Sequence, residues 1–425
     1  MVSSPAEAQR MDPTPLARFA VVRRSEKRGA CAIGTEFAIN WDNNRGTLQF
    51  KGCTFNLFPS NMQKLLLPIL AVVLFGAIPF RPAKAQDAPK YSNEFLAIGV
   101  GARALGMGSA YTSAVNDVTA GYWNPAGLLG VKGDLQVGVM HSEYFAGIAK
   151  YDYVGLAKPI DSMSTIGFTF VRFGIDNIPN TIDLIDPSGN IDYDRITSFS
   201  SADHAFMISY ARRMKVPGLR IGGNVKVIYR RVGEFAKAWG FGLDAGAQYD
   251  RDLWRFSAVA RDVTTTFNAW SYSLDQRTVD VFEQTGNEIP ENSVEKTLPR
   301  LMLGVARQFK FGQKFDLIAA VDLENTFDGR RNTLIKSDLI SADPRVGIEL
   351  GYAGVVFVRS GVSYFQYVQD INGKEQLTIQ PNIGLGIKIK SVWLDYALTD
   401  IGDNSVALYS NIFSLKFDLF KKPSS

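Results

Sequence analysis

The sequence predicts an all-β fold, a transmembrane antiparallel β-barrel of about 14 strands with an N-terminal plug. Three observations predict it. Beyond Gly130 the chain alternates apolar and polar residues in one segment after another, which is the period of a strand that faces two environments. Short and long connections between these segments alternate along the chain. Before them lies Asn93–Gly130, which is rich in Gly and Ala and has neither strand alternation nor helical periodicity.

The segment Trp239–Asp250 has the clearest alternation. One of its faces carries only Trp, Phe, Leu, Ala and Tyr, and the other carries only Gly, Asp and Gln. An apolar face with aromatic residues at both ends is typical of strands in outer-membrane barrels, whose aromatic girdles mark the membrane interfaces. The same pattern predicts strands at about 134–146, 150–160, 163–174, 203–214, 219–232, 237–250, 253–263, 298–310, 314–325, 344–353, 355–363, 377–390, 391–400 and 407–420.

The connection lengths predict how the barrel is oriented. Connections from an even-numbered to an odd-numbered strand are short. The long connections all run from an odd-numbered to an even-numbered strand and are 175–202, 264–297, 325–343 and 364–376. Outer-membrane barrels have short periplasmic turns and longer external loops. The N-terminal segment is therefore expected on the periplasmic side, ahead of a barrel over 134–420 and a tail over 421–425.

The predicted plug, 86–133, contains motifs that resemble a known family. Gly101-Ala102-Arg103, Gly106-Met107-Gly108 and Tyr122-Trp123-Asn124-Pro125-Ala126-Gly127-Leu128 are similar to the N-terminal signature of the PorV/PorQ proteins. Those proteins are outer-membrane barrels distantly related to the FadL channels for hydrophobic substrates. The resemblance implies a FadL-like barrel with a hatch inside its lumen. The hatch residues that it implies are Gly101, Arg103, Gly106, Gly108, Asn124, Pro125 and Ala126.

This segment has two other interpretations. Gly99-Val100-Gly101 followed by Gly106 resembles a dinucleotide fingerprint, but its spacing is GxGx4G and no strand precedes it. An ordinary glycine-rich loop of a soluble β-protein is the remaining alternative. Most PorV/PorQ members have a second acidic residue where this chain has Val118.

The N-terminal region predicts export. Met62-Gln63-Lys64 is followed by the apolar run Leu65–Phe80, and Ala83-Lys84-Ala85 matches the small-x-small cleavage pattern of a signal peptide. Residues 62–85 are therefore predicted to be a signal peptide cut between Ala85 and Gln86. Residues 1–61 are interpreted as an upstream extension of the reading frame, and the alternative is a cytoplasmic tail with Leu65–Phe80 as an anchor.

Removal of residues 1–85 changes the charge of the chain. They hold eleven of the 46 basic residues and five of the 42 acidic residues, so the remainder carries 35 basic and 37 acidic residues, a net charge of −2. This balance excludes a nucleic-acid partner. Both cysteines, Cys31 and Cys53, also lie in the removed part, so the sequence predicts no disulfide and no cysteine metal site.

No residues of the sequence form a catalytic motif, and neither an enzymatic activity nor a cofactor or metal is predicted. The histidines, His141 and His204, have no cysteine or HExxH partner nearby. Charged residues on the polar strand faces are interpreted as ion pairs inside the lumen, with a polar permeation path as the alternative. The acids are Asp244, Asp316, Asp322, Glu349 and Asp395, and the bases are Arg345, Arg359, Lys388 and Lys416.

The long loops carry apolar residues that predict a partner or ligand surface, because long loops usually carry function. The candidates are Ile182, Leu184, Ile185, Trp270, Tyr272 and Phe282. Of the alternatives, the sequence favours packing of these residues against each other across the barrel mouth. Two functions follow for a protein of the Gram-negative outer membrane, in contact with its lipid. By resemblance to PorV, it binds type IX secretion components and the C-terminal domains of secreted cargo. The alternative is a FadL-like channel for hydrophobic small molecules.

Overall fold

The computed structural model describes residues 40–42, 47–50, 53–55, 92–185, 188–369, 373–399, 401 and 409–420. The chain divides into two units, Met1–Lys84 and Ala85–Ser425. The first contains a small antiparallel sheet that the sequence did not predict, formed by β1 (Asn40–Asp42), β2 (Thr47–Phe50) and β3 (Cys53–Phe55). The predicted cleavage site at Ala83, Ala85 and Gln86 and the tail 421–425 lie outside the described residues.

The second unit is a closed antiparallel barrel. Its first strands are β4 (Leu135–Tyr144), β5 (Ala149–Pro159), β6 (Ser164–Asn180), β7 (Thr197–Arg213), β8 (Leu219–Val232), β9 (Ala236–Arg251), β10 (Trp254–Arg261), β11 (Thr266–Tyr272) and β12 (Ser293–Thr297). The remaining strands are β13 (Arg300–Phe311), β14 (Phe315–Thr326), β15 (Ile335–Lys336), β16 (Ser341–Tyr352), β17 (Val356–Gln369), β18 (Glu375–Ile389), β19 (Val392–Thr399) and β20 (Ser410–Leu419).

These segments build a wall of fourteen strands, as the sequence predicts. β10 and β11 both pair with β9, and β12 and β13 pair with β11 and β10, so each of these two pairs of segments forms one interrupted wall strand. The two-residue β15 only flanks β16. The last strand pairs with the first, from Asn411 opposite Glu143 to Leu419 opposite Leu135, and this closes the barrel.

The predicted facing of the strands is confirmed. Along β9 the apolar residues Trp239 and Phe241 are 56% and 41% exposed, whereas Asp244 and Gln248 on the other face are 8% and 1% exposed. β18 repeats this pattern, with outward Ile and Leu residues and a buried Asn382. Apolar side chains thus cover the outer face, as in barrels that span a membrane.

The connections also follow the predicted parity. One end of the barrel has short turns, such as 160–163, 214–218 and 252–253, and the other end has longer connections, such as 181–196 and 327–340. The long connections are more regular than predicted. β6 and β7 extend the wall to Asn180 and from Thr197, and the stretch 264–297 contains β11, β12 and the helix α3 (Gln276–Gln284).

The segment 92–133 lies inside the barrel. It contains the helices α1 (Ala102–Gly106) and α2 (Ala120–Trp123) and two 3₁₀ turns, Glu94–Leu96 and Pro125–Gly130. α1 contacts β17 to β20, and the second 3₁₀ turn contacts β6 to β9 on the other side. Among the described residues, no helix has the length and apolar character needed to cross a membrane.

Candidate functional site

The contact between the segment 92–133 and the barrel wall depends on glycines where the two backbones meet. Gly101 and Gly108 have positive φ values of 87° and 60°, which disfavour residues with a Cβ atom. A Cβ atom on Gly108 would lie 2.6 Å from the backbone N of Val362, and one on Gly106 would lie 2.9 Å from the Cα of Gly384. Close backbone approach therefore requires glycine at Gly106 and Gly108, two of the predicted hatch positions.

Arg103 of α1 is the main electrostatic link between this segment and the wall. Its Nε and Nη2 each donate to Glu349 of β16 at 2.7 Å, and its Nη1 donates to Asn116 at 2.9 Å. Glu349 also accepts from Arg359 of β17 at 2.6 Å, and Arg359 donates to Asp395 of β19 at 2.7 Å. A chain of buried ion pairs thus runs from the segment across the wall, with bidentate geometry at Arg103.

Asn124, Pro125 and Ala126 fix the other end of the segment. The Asn124 side chain is fully buried. Its Nδ2 donates to the carbonyl oxygens of Thr112 at 3.2 Å and of Ala247 in β9 at 3.1 Å, while its Oδ1 accepts from the N–H of Ala126 at 3.2 Å. Asn124 therefore caps the 3₁₀ turn that begins at Pro125 and joins it both to the rest of the segment and to the wall.

Two side chains of the wall, Asp322 and Gln248, bind the segment's backbone. Asp322 of β14 accepts from the N–H groups of Tyr111 and Thr112, each at 2.8 Å. Gln248 donates to the carbonyl oxygens of Thr112 at 2.9 Å and Val115 at 3.1 Å. These polar side chains satisfy backbone groups that an irregular buried segment cannot pair internally.

The predicted lumen ion pairs form in part. Arg359 bridges two of the predicted acids, as described above. Arg345 contacts Glu324, and Lys416 donates to Asp117 of the segment at 2.6 Å. The lumen charges that form ion pairs therefore join the wall either to the segment or to another strand of the wall.

Two of the predicted lumen charges make other contacts. Asp322 accepts from backbone N–H groups, and Lys388 lies 4.5 Å from the ring centroid of Trp393.

Three cavities between the segment and the wall have charged linings. A cavity of about 160 Å³ in the half of the barrel nearer the long connections is lined by Glu94, Arg300, Glu324 and Arg345, among others. Two further cavities measure about 20 Å³ each. Because charged side chains line these cavities, they suit water molecules and are poorly matched to an apolar ligand.

The predicted partner residues lie in three different elements at the end of the barrel that has the long connections. These elements are the connection 181–196, the helix α3 and the strand β11. Ile182, Leu184 and Ile185 lie in the connection 181–196, where Ile185 is 53% exposed. The Arg277 side chain of α3 contacts this connection, donating to Asp183 at 3.2 Å and to the carbonyl oxygen of Ile185 at 2.9 Å. Phe282 lies in α3. The two long connections are therefore joined by hydrogen bonds.

Trp270 and Tyr272 were predicted in a loop, but they lie in β11. The β alternation turns both toward the lumen, since Phe267 is exposed on the outer face and Asn268 is buried. The Trp270 Nε1 donates to Glu295 at 2.9 Å, and Arg230 lies 4.9 Å from the Trp270 ring centroid. They thus line the mouth of the barrel, with a 6.1 Å stacked contact between their rings.

The start of α3, in the connection between β11 and β12, is also held by local hydrogen bonds. Asp275 caps α3 by accepting from the N–H of Thr278 at 2.8 Å. Hydrogen bonds from the Thr278 side chain and backbone lower the pKa of Asp275. The carboxylate therefore stays ionised at neutral pH and stabilises the start of the helix.

The wall is interrupted at one level across three neighbouring strands. β10 ends at Arg261 and β11 begins at Thr266, while β12 ends at Thr297 and β13 begins at Arg300. At the same level, residues 242–244 of β9 lie between its pairing with β11 and its pairing with β10. At this level the ladder hydrogen bonds between these strands are interrupted, and the backbone is irregular.

Buried side chains join the strands across this interruption. Lys226 of β8 donates to Asp244 at 3.0 Å and to Asp262 at 2.6 Å, and it is only 2% exposed. Thr266 also donates to Asp262. The backbone N–H of Val263 donates to the carbonyl oxygen of Leu243 at 2.9 Å. The Lys226–Asp244–Asp262 triad therefore cross-links the wall from the inside.

Comparisons with known proteins give structural likeness only. No family model matches the chain, and no curated protein matches it. The P. putida toluene transporter TodX is similar over 76% of this chain and 99% of its own, with 12% identity and a TM-score of 0.48. The CymD monoaromatic hydrocarbon channel covers 76% and 98%, with 12% identity and a TM-score of 0.46.

A Pseudomonas aeruginosa FadL homologue covers 73% of this chain and 96% of its own, with 11% identity and a TM-score of 0.43. These identities and scores assign neither a family nor a substrate to this chain. The resemblance to PorV/PorQ is tested by none of these matches and stays a prediction.

Proposed function

We propose that the protein is an outer-membrane barrel whose lumen is closed by the segment 92–133 and whose external rim binds proteins. The apolar outer face supports the membrane location, because a soluble barrel would expose that whole face to water. The short turns at one end and the longer connections at the other support an orientation with the long connections outside the cell. The external rim comprises the long connections 181–196, 273–292 and 327–340.

The observation that carries this proposal is the ion-paired contact between the segment and the wall. Glu349 pairs with both Arg103 and Arg359 at 2.6–2.7 Å, and Lys416 pairs with Asp117. A hydrophobic molecule that passed through the lumen would have to separate these buried charges, which is costly. A partner protein needs only the rim, where apolar residues such as Ile185 are exposed.

The partner follows from the resemblance to PorV. It supports a role in type IX secretion, in which the rim receives the C-terminal domains of secreted cargo. The test is affinity purification of the tagged, cross-linked protein from its native host, followed by mass spectrometry. Secretion components and cargo are expected to copurify. Copurification of neither, from a correctly inserted barrel, would contradict the proposal.

A rim variant with a matched control sharpens this test. Ile185→Glu places a charge on the external rim, and Ile160→Glu places the same charge on a short turn, where Ile160 is 58% exposed. Both variants are expected to insert as heat-modifiable barrels. Only Ile185→Glu should lose the partner, and equal loss in both would show that the rim is not the binding surface.

The interrupted wall favours a second candidate function, transport of hydrophobic small molecules. At residues 262–265, the strand formed by β10 and β11 makes no ladder pairs with either neighbouring strand. An opening of the wall there would therefore separate fewer backbone hydrogen bonds than elsewhere. Uptake of a radiolabelled long-chain fatty acid and of toluene by cells with and without the protein tests this function. Equal uptake would exclude it, and protein-dependent uptake without copurifying partners would favour it over the rim-binding role.

A further inference from the structure

The outer face of the barrel carries a row of basic and aromatic side chains at the short-turn end. Arg251 at the end of β9 stands opposite Trp254 of β10, and Trp254 stands opposite Arg307 of β13. Residues directly opposite each other in an antiparallel pair project from the same face of the sheet. Phe256 and Val305, two positions along from Trp254 and Arg307, are exposed on the outer face. The row therefore faces outward as well.

The aromatic neighbours hold one of the guanidinium groups in place. The Arg307 guanidinium carbon lies 4.8 Å from the ring centroid of Trp254 and 4.8 Å from that of Phe309. Contacts of this kind are cation–π interactions, in which the ring faces attract the charged group. Arg251 and Arg307 are both exposed. The strand register thus places one exposed arginine on either side of Trp254 at the outer surface.

The row lies at the edge of the apolar outer face. Trp254 stacks on Phe256 at 6.3 Å, and Phe256 continues toward the middle of the wall. Lys158 of β5 and Arg212 of β7 are exposed on the same face near the same end. In a membrane, this boundary between apolar and basic side chains coincides with the lipid headgroups. Each basic residue near an anionic bilayer surface strengthens attraction by about fivefold.

We propose that Arg251, Trp254 and Arg307 form a binding site for the phosphate headgroup of an anionic phospholipid in the leaflet at the short-turn end. The two arginines bind the phosphate oxygens, and the acyl chains lie along Phe256 and Val305. The continuous apolar surface next to the arginines favours a lipid over a soluble anion or a protein. The site is independent of the partner that the external rim binds.

Trp254 supplies the readout. The refolded protein is placed in dioleoylphosphatidylcholine vesicles with an increasing fraction of brominated phosphatidylglycerol, which quenches nearby tryptophan fluorescence. The Trp254 signal is the difference between each protein and the same protein with Trp254→Phe. We expect phosphatidylglycerol to be preferred at this site over brominated phosphatidylcholine. In Arg251→Gln/Arg307→Gln the preference should fall by about 25-fold, and in Arg307→Gln alone by about fivefold.

The matched control removes two charges from the other end of the same outer face. Arg231 of β8 stands opposite Lys237 of β9 near the long connections, and both are exposed. Arg231→Gln/Lys237→Gln should leave the Trp254 preference unchanged. An unchanged preference in a heat-modifiable Arg251→Gln/Arg307→Gln barrel would overturn the site. Displacement of phosphatidylglycerol by inorganic phosphate, against chloride at equal ionic strength, would overturn its assignment to lipid.

Discussion

The ion pair between Arg103 and Glu349 gives the most specific prediction about the segment 92–133. Arg103→Ala removes two 2.7 Å hydrogen bonds to Glu349 and one of 2.9 Å to Asn116. The side chains of Arg103 and Glu349 are only 11% and 5% exposed. Removing one partner of a buried pair costs about 3–5 kcal/mol. Arg359 still pairs with Glu349, so the lower end of this range is expected.

Hydrogen exchange measures this cost directly. A loss of about 3 kcal/mol in the local opening free energy accelerates exchange roughly a hundredfold for the backbone N–H groups that open together. The acceleration should be confined to residues 92–133, because the ladder bonds of the wall are untouched. The exposed pair Asp192–Arg195, 3.2 Å apart, supplies the control. Arg195→Ala should change exchange little, since exposed pairs contribute about 0–1 kcal/mol. Equal exchange of 92–133 in both variants would refute the proposed link.

Three further substitutions test the facing and the packing. Leu243→Arg should destabilise the barrel in vesicles by roughly 2–4 kcal/mol in urea titrations, whereas Val294→Arg, level with Trp239 near the membrane interface, should cost only about 0–1 kcal/mol. Gly108→Ala should accelerate exchange of the segment, whereas Gly286→Ala should not, because both glycines have positive φ but only Gly108 meets a neighbour. Asn124→Ala loses three hydrogen bonds and should increase proteolysis within the segment while leaving gel heat-modifiability intact. Equal results for either pair, or unchanged proteolysis, would contradict the corresponding contact.

The wall was predictable because its two faces meet different surroundings. Along β9 the alternation from Trp239 to Asp250 follows directly from lipid on one side and a polar interior on the other. The alternation is lost at the strand ends that extend beyond the membrane, because both faces of the strand contact water there. For this reason the extensions of β6 to Asn180 and of β7 from Thr197 were predicted as loop. The helix α3 was missed because it has only nine residues.

The contacts of the segment were less predictable than the wall. The alternation directs Gln248 and Asp322 inward, but it does not indicate that they meet the backbone of Thr112. Such pairs lie far apart in the sequence, and they depend on how an irregular backbone folds. The glycines were a usable signal, since Gly106 and Gly108 stand where backbones touch. For the Lys226–Asp244–Asp262 triad, the sequence pattern predicted only that Asp244 faces inward.

Single-channel conductance in planar bilayers tests most directly the claim that the segment closes the lumen. The proteins compared are the full barrel and a variant that lacks residues 95–128, both first shown to be heat-modifiable. The wild-type barrel is expected to have little steady conductance, because the segment contacts β17 to β20 on one side of the lumen and β6 to β9 on the other. The deletion should open a stable pore of large conductance. Equal conductance in the two proteins would contradict the account.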